Sequence, residues 1–238
     1  MRQIITELPQ IFTVLDAIAL GLFLFGSAIL GWFVENPPKG TPSTHRLMKN
    51  YRADWMRAMA GREVRIFDAQ LLASLRQGAS FFASATLIAI GGGVALLGQV
   101  EQVQQVARDL SAMPADPAVV WELKIIFVLI LLVSAFLKFV WSIRVFGYCA
   151  VVMASTPNDP DDPNAQVIAA RAAELNFLAD RSFTRGLRGI YFALAALAWL
   201  VGDWAFIAAT VFTLSVVLRR EFASQSREVL LTQDQAPR

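Results

Sequence analysis

The sequence predicts an all-α, polytopic helical membrane protein. Four long apolar runs lie at about residues 11–34, 79–100, 121–143 and 189–218. A helix needs about twenty apolar residues to cross a hydrocarbon core of about 30 Å, and each run meets or approaches that length. The composition agrees, because 56% of the residues are hydrophobic, 17% are charged and the mean hydropathy is +0.51.

The chain is predicted to form a single integral membrane domain over residues 1–238, since no stretch between the runs suffices for a separate soluble fold. The first run is too long for a signal peptide and lacks a small-residue cleavage site, which indicates a retained anchor. Cys149 is the one cysteine and His45 the one histidine. We therefore expect no intrachain disulfide, no metal and no cofactor.

The distribution of Lys and Arg predicts the orientation. The segment Glu35–Ala79 holds eight basic residues, whereas Glu101–Lys124 holds two. By the positive-inside rule, the segments at about 35–78 and 144–188 are predicted to be cytoplasmic. The amino terminus is then outside, and we expect a multi-pass protein of a bacterial inner membrane with a cytoplasmic carboxyl terminus.

The fourth run contains a Gly202-Asp203 pair between Trp199 and Trp204. As one helix the run would span about 45 Å and place a carboxylate near mid-membrane. As a two-armed hairpin, the Gly-Asp pair forms the turn and both tryptophans lie in the outer aromatic belt. The hairpin is favoured, because it returns the chain to the cytoplasm before the basic pair at 219–220.

The two cytoplasmic segments are predicted to contain amphipathic helices. Leu47, Tyr51 and Met59 share one helical face, and a second helix is expected over about 165–185 with Asn164 as its N-cap. The first helix either lies on lipid headgroups or packs on the bundle. The candidate headgroup contacts are Arg46, Lys49, Arg52, Trp55 and Arg57.

The second run carries two patterns of small and polar residues. Ala85, Ala89 and Gly92 form a stripe that favours close helix packing and self-association. Alternatively, the end of the run nearer the cytoplasm lines a narrow pore, in which hydroxyls face water and aromatic rings form a constriction. The candidate pore residues are Ser80, Phe81, Phe82 and Ser84.

Three charged residues within the runs are candidate functional groups. Lys138 either extends its amine to the cytoplasmic interface or faces a carboxylate or a water-filled cavity, where it would attract anions. Asp16 lies near the outer end of the first run, where we expect a hydrated carboxylate rather than a proton relay. Asp203 becomes an intramembrane acid if the fourth run is a single helix.

No catalytic constellation is recognisable. His45 and Cys149 have no neighbours of the kind that nucleophilic catalysis requires, and the sequence has no phosphate-binding loop or dinucleotide fingerprint. We therefore expect that the protein is not an enzyme. Its net charge of +2 gives no reason to expect nucleic-acid binding.

Several short motifs point to a family of membrane proteins. They are Tyr51-Arg52-x-x-Trp55-Met56, Arg62-x-x-Arg65-x-x-Asp68, Ser80-Phe-Phe-Ala-Ser84, Lys138-Phe-Val-Trp-Ser-Ile-Arg144 with Tyr148, Gly186-Leu-Arg188 with Tyr191-Phe192, and Arg219-Arg-Glu-Phe222. Together they resemble family 599 of the domains of unknown function, integral membrane proteins of bacteria and plants. The resemblance covers about residues 41–224. It implies an intact membrane domain and assigns no activity to any residue.

Two functions follow from these patterns. The first is a homo-oligomeric ion pore or small-ion transport protein that uses the second run and Lys138. The second is a non-transporting scaffold or accessory subunit that binds anionic lipid or a partner membrane complex. The first is weakly favoured. In both, membrane lipids and a second copy of the chain are expected partners.

Overall fold

The computed structural model describes residues 13–38, 40–102, 104–105, 117–159 and 161–232. These residues contain helices and no β-strand, which confirms the all-α class. The main helices are α1 (Val14–Glu35), α2 (Thr44–Ala60), α3 (Ile66–Leu97), α4 (Ala118–Ala154), α5 (Pro163–Leu197), α6 (Asp203–Phe222) and α7 (Gln225–Thr232), with a short 3₁₀ helix at Ala198–Leu200. The predicted start of the first run, at residue 11, lies outside the described residues.

Three helices, α1, α3 and α4, are long and apolar enough to cross a membrane. α3 has 32 residues and α4 has 37. At 1.5 Å per residue these helices are about 48 and 55 Å long, which exceeds a hydrocarbon core of about 30 Å. Each of these two helices is therefore longer than the hydrocarbon core is thick, and part of each would extend beyond that core.

α4 and α5 form an antiparallel pair joined by small residues. Ser142 Oγ donates a hydrogen bond to the Ala179 carbonyl at 2.7 Å, and Cys149 Sγ donates to the Ala172 carbonyl at 3.3 Å. Buried small residues recur on α5 at every seventh position, namely Ala165, Ala172, Ala179, Gly186 and Ala193. A seven-residue period keeps one seam facing the neighbouring helix, and small side chains let the two backbones approach.

The start of α5 differs from the prediction, and the break in the fourth run agrees with it. α5 begins at Pro163, and Asp162 is the N-cap, accepting a hydrogen bond from the Asn164 amide at 2.7 Å. Asn164 is therefore inside the first turn. The chain reverses at Gly202, whose φ of 150° only glycine adopts readily. The predicted break at Gly202 is confirmed, whereas the number of membrane crossings stays a prediction.

The amphipathic helix α2 packs along α5. Lys49 Nζ lies 3.3 Å from a Glu174 oxygen, and Met56 and Met59 are fully buried in a core with α4 and α5.

The two ends of the helix bundle are distinguished by their charged residues. We call the end where α1 begins and α5 meets α6 the Asp16 end, and the end where α1 finishes beside α5 the Glu35 end.

Candidate functional site

An open cleft of about 530 Å³ lies between α1 and α4, with α5 as its third wall, and reaches the Glu35 end. We call it the basic cleft. Its lining residues are Phe23, Leu24, Ser27, Ala28, Gly31, Trp32, Glu35, Asn36, Leu131, Lys138, Arg181, Arg185, Arg188, Gly189 and Phe192. Charged side chains therefore share one cavity with apolar ones.

The helices bring the charges of the basic cleft together. Arg181, Arg185 and Arg188 are spaced by four and three residues, so they project from the same side of α5. Glu35 is the last residue of α1, and Lys138 comes from α4. Among the described lining residues, four cations face one carboxylate, which leaves three positive charges in excess.

Glu35 binds all three arginines. Arg181 donates from Nε and Nη2 to Glu35 Oε2 at 3.0 and 2.5 Å. Arg185 donates from Nε to Oε1 at 2.7 Å and from Nη2 to Oε2 at 2.5 Å, and Arg188 donates from Nη2 to Oε1 at 2.9 Å. Charge-assisted bonds of this kind hold the arginines in place. Glu35 nevertheless neutralises only one of the three, and Glu221, which does not line the cleft, interacts electrostatically with Arg188.

Arg188 has an unused donor. The residue is 8% exposed, and its Nη1 makes no hydrogen bond with any residue that the structure describes. A buried charged donor without an acceptor costs more than an ordinary unpaired group. Nη1 has almost no accessible surface, so this donor does not face the open cleft.

Lys138 also belongs to the basic cleft. Its Nζ donates a hydrogen bond to Ser134 Oγ at 2.8 Å, one helical turn away on α4. Within the described residues, it forms no ion pair with a carboxylate. The structure therefore places the ammonium at a cavity, which is the arrangement that attracts anions.

A second set of polar groups surrounds Asp180, the residue before Arg181. Arg52 donates from Nη2 to Asp180 Oδ1 at 2.6 Å and from Nη1 to Asn176 Oδ1, and His45 Nδ1 lies 3.6 Å from Asp180 Oδ2. Burial raises the pKa of Asp180, and Arg52 opposes that rise. Burial, with help from nearby Arg188, lowers the pKa of His45 to about 4. Asp180 is thus paired with Arg52 beside a neutral His45 and is not a lining residue of the cleft.

The pore and packing candidates of α3 lie elsewhere. Ala85, Ala89, Gly92 and Ser84 are exposed on the outside of the bundle. The other three candidates are also on α3: Ser80 donates to the Arg76 carbonyl, Phe81 is 67% exposed, and Phe82 packs against Phe139 and Phe183. They occupy several faces of α3, and none lines the basic cleft.

The five headgroup candidates divide into engaged and exposed side chains. Arg52 is buried in the ion pair with Asp180, and Lys49 pairs with Glu174 and lies over the Phe177 ring. Trp55 Nε1 donates to Asp68 Oδ1 at 2.7 Å. The remaining two are Arg46 and Arg57, both exposed. Arg57 forms an exposed ion pair with Asp54 at 2.6 Å, and Arg46 has no ion pair among the described residues.

The two acid candidates meet at the Asp16 end. Trp199 Nε1 donates to Asp16 Oδ1 at 2.8 Å and to Asp203 Oδ1 at 3.1 Å, and Thr13 Oγ1 donates to both carboxylates. Asp16 is 7% exposed, so the expectation of a hydrated carboxylate does not describe it. Trp199 is buried and packs against Phe127 and Phe206, whereas Trp204 is exposed; the location of both in an aromatic belt stays a prediction.

The sequence alone did not reveal the site at Glu35. In the sequence, Arg181, Arg185 and Arg188 lie in the predicted cytoplasmic segment at 144–188, and Glu35 begins the one at 35–78. The spacing of the three arginines is a visible signal of a basic helix face. Their shared carboxylate is not, because it lies about 150 residues away in sequence.

Comparison with known families identifies the relatives of this chain. A family model described as "Protein of unknown function, DUF599" matches residues 18–226. The chain belongs to this family. No significant match is found among curated proteins or solved structures. The DUF599 match contains every lining residue of the basic cleft and begins two residues after Asp16.

Proposed function

We propose that the protein is an integral membrane protein that binds an anion in the basic cleft. The observation that carries the proposal is the excess of three positive charges among the lining residues of the cleft. Guanidinium groups bind phosphate and carboxylate through paired, planar hydrogen bonds, whereas an ammonium acts as a point charge. Glu35 has the role of a positioning residue that keeps the arginines extended toward the cavity.

The proposed location of the anion is the cytoplasmic boundary of the membrane. The segment that follows Glu35 is the more basic side of the chain, with eight Lys and Arg residues before the next apolar run. Cysteines at exposed Gln102 and Ser155 in a Cys149→Ser background test this orientation. An impermeant thiol reagent added to intact cells should label position 102 and spare position 155. The opposite pattern would place the basic cleft outside.

Anion binding is tested with purified full-length protein in a neutral detergent. Titration with inorganic phosphate should raise the melting temperature, since a ligand that binds only the folded state stabilises it. Arg188→Gln should weaken binding by about tenfold or more, a loss of about 1.4 kcal/mol. Arg46→Gln is the matched control, because Arg46 is exposed outside the cleft. Equal binding by all three proteins would refute the proposal.

Transport of a small anion is the second candidate function. It is favoured by Lys138, whose ammonium lies in the basic cleft although the residue belongs to the apolar helix α4. Between the two ends, Phe23 packs edge-on against Phe127 and Phe192 at 5.5 Å. Transport requires this aromatic layer to open. Anion flux into liposomes under an imposed gradient tests transport. If no flux is measured at any salt concentration or voltage, transport is refuted and anion binding remains as the proposed function.

Self-association remains part of the proposal. Ala85, Ala89 and Gly92 are exposed on the outward face of α3, and a Cβ at Gly92 would meet nothing within 4 Å in one copy of the chain. That surface is free to contact lipid or a second copy. In the scaffold interpretation, the exposed Arg46 and Arg57 are the charges available to a partner membrane protein or to headgroups.

A further inference from the structure

We propose that the anion bound in the basic cleft is the phosphate of an anionic phospholipid, whose acyl chain lies along the apolar part of the same cleft. This inference rests on the proposed anion site and adds the identity of the ligand. The observation behind it is the joining of four cations and a long apolar wall in one cavity. A free inorganic anion would use only the first of these.

The apolar wall has the length of one membrane leaflet. On α1, the cleft runs from Phe23 to Glu35, which is twelve residues. At 1.5 Å per residue this distance is about 18 Å, close to half of a hydrocarbon core of about 30 Å. The apolar lining residues are Phe23, Leu24, Ala28, Gly31, Trp32, Leu131 and Phe192. A chain attached to a headgroup at Lys138 and Arg188 would therefore remain at hydrocarbon depth.

The shape of α1 allows entry from the bilayer. Ser27, Ala28 and Gly31 are small, and a Cβ built at Gly31 would meet no atom within 4 Å. Trp32 lines the cleft and is 65% exposed, which is typical of an indole at a membrane interface. The cleft lies between α1 and α4, which are both apolar enough to cross a membrane, so a lipid could enter it without leaving its leaflet.

The charge of the cleft selects the headgroup. Three positive charges in excess attract a lipid with a net negative headgroup and give no preference to a zwitterionic one. Arg185 remains half exposed beside Glu35, so it can share its donors with the lipid phosphate.

The test measures lipid retained by full-length protein purified from vesicles of phosphatidylcholine with one-fifth phosphatidylglycerol, and separately measures binding of inorganic phosphate. Gly31→Leu fills the apolar part of the cleft and leaves every charge in place. Its control is Gly21→Leu, also on α1 and also with open space at Cβ, but outside the cleft. Arg188→Gln tests the headgroup contacts, and Ala28→Leu is a second filling variant in case Gly31→Leu folds poorly.

We expect wild-type protein and Gly21→Leu to retain phosphatidylglycerol over phosphatidylcholine. The filling variants should reduce that retention about tenfold and bind phosphate normally, whereas Arg188→Gln should lose both ligands. Normal lipid retention by folded filling variants, or no lipid preference in wild type, would overturn the lipid inference and leave the anion site standing. If Arg188→Gln bound both ligands normally, the proposed function would fall with it.

Discussion

Replacing Glu35 with Gln should make the protein less stable without anion and more responsive to it. The substitution removes one negative charge from a group of three arginines, so the excess charge of the basic cleft rises from three to four. The Gln oxygen still accepts a hydrogen bond, but the three ion pairs with Arg181, Arg185 and Arg188 are lost. Repulsion between the arginines then opposes folding.

The magnitude follows from how buried each pair is. Arg181 and Arg185 have side chains that are 37% and 43% exposed, and such pairs contribute at most about 1 kcal/mol each. The side chains of Arg188 and Glu35 are each 10% exposed, and breaking a pair buried to this extent costs about 3 kcal/mol or more. Since Gln keeps part of the hydrogen bonding, we expect a net loss of about 3 kcal/mol.

Thermal unfolding in neutral detergent, with and without phosphate, measures both effects. Without phosphate, the variant should melt roughly 5–10 °C below wild type. With phosphate, it should recover more of its melting temperature than wild type gains, because the anion replaces the missing carboxylate. Asp54→Asn is the control, since Asp54 forms an exposed pair with Arg57 far from the cleft. A variant that melts lower and gains no more from phosphate than wild type would refute this account of the cleft.

Three further outcomes are expected. Gly186→Ala should destabilise the protein by about 1–3 kcal/mol, because the new Cβ would lie 2.7–2.9 Å from ring carbons of Phe139. Gly147→Ala, where a Cβ meets no atom within 4 Å, is the control and should leave stability unchanged. Equal melting temperatures for the two variants would contradict close packing of α5 on α4. His45 has a pKa of about 4 in the fold against 6.5 when unfolded, so the unfolded chain takes up the proton first and stability falls by about 3 kcal/mol as pH drops from 6.5 to 4. His45→Gln should flatten that part of the pH–stability curve, which thermal melts at each pH would measure. Gly92→Leu should reduce the oligomer mass measured in detergent if the outward face of α3 joins two copies; an unchanged mass would assign that face to lipid.

The helical membrane class and the break at Gly202 could be read from the sequence because both depend on local properties. Apolar run length predicts a helix that crosses a bilayer, and a glycine beside an aspartate predicts a turn. The small-residue seam of α5 was also visible as a seven-residue repeat, yet the stripe on α3 around Ala89 attracted the packing prediction. Both stripes have suitable spacing, and only the three-dimensional structure shows that the α5 stripe is buried and the α3 stripe exposed.

The basic cleft could not be predicted because its charges come from distant parts of the chain. Glu35 and Arg188 are separated by 153 residues, and a carboxylate at the end of an apolar run is an ordinary feature of a membrane boundary. For Lys138 the sequence left open whether the amine reaches the cytoplasmic interface or faces a cavity, and it did not reveal the arginines beside it. Pairing between helices depends on how they rotate and cross, which the spacing within one helix does not determine.

Because α5 is uninterrupted, a movement at its amino-terminal end would displace the arginines of the basic cleft. Pro163 and Arg181 lie on one continuous helix, eighteen residues apart, or about 27 Å. The alanine and glycine seam holds that helix tightly against α4, so the pair resists bending and moves as a rod. A tilt of about 5° imposed near Pro163 would carry the arginine by about 2 Å, enough to lengthen a hydrogen bond beyond its working range. A force that acts on α5 near Pro163 would thereby change the positions of the arginines in the proposed anion site.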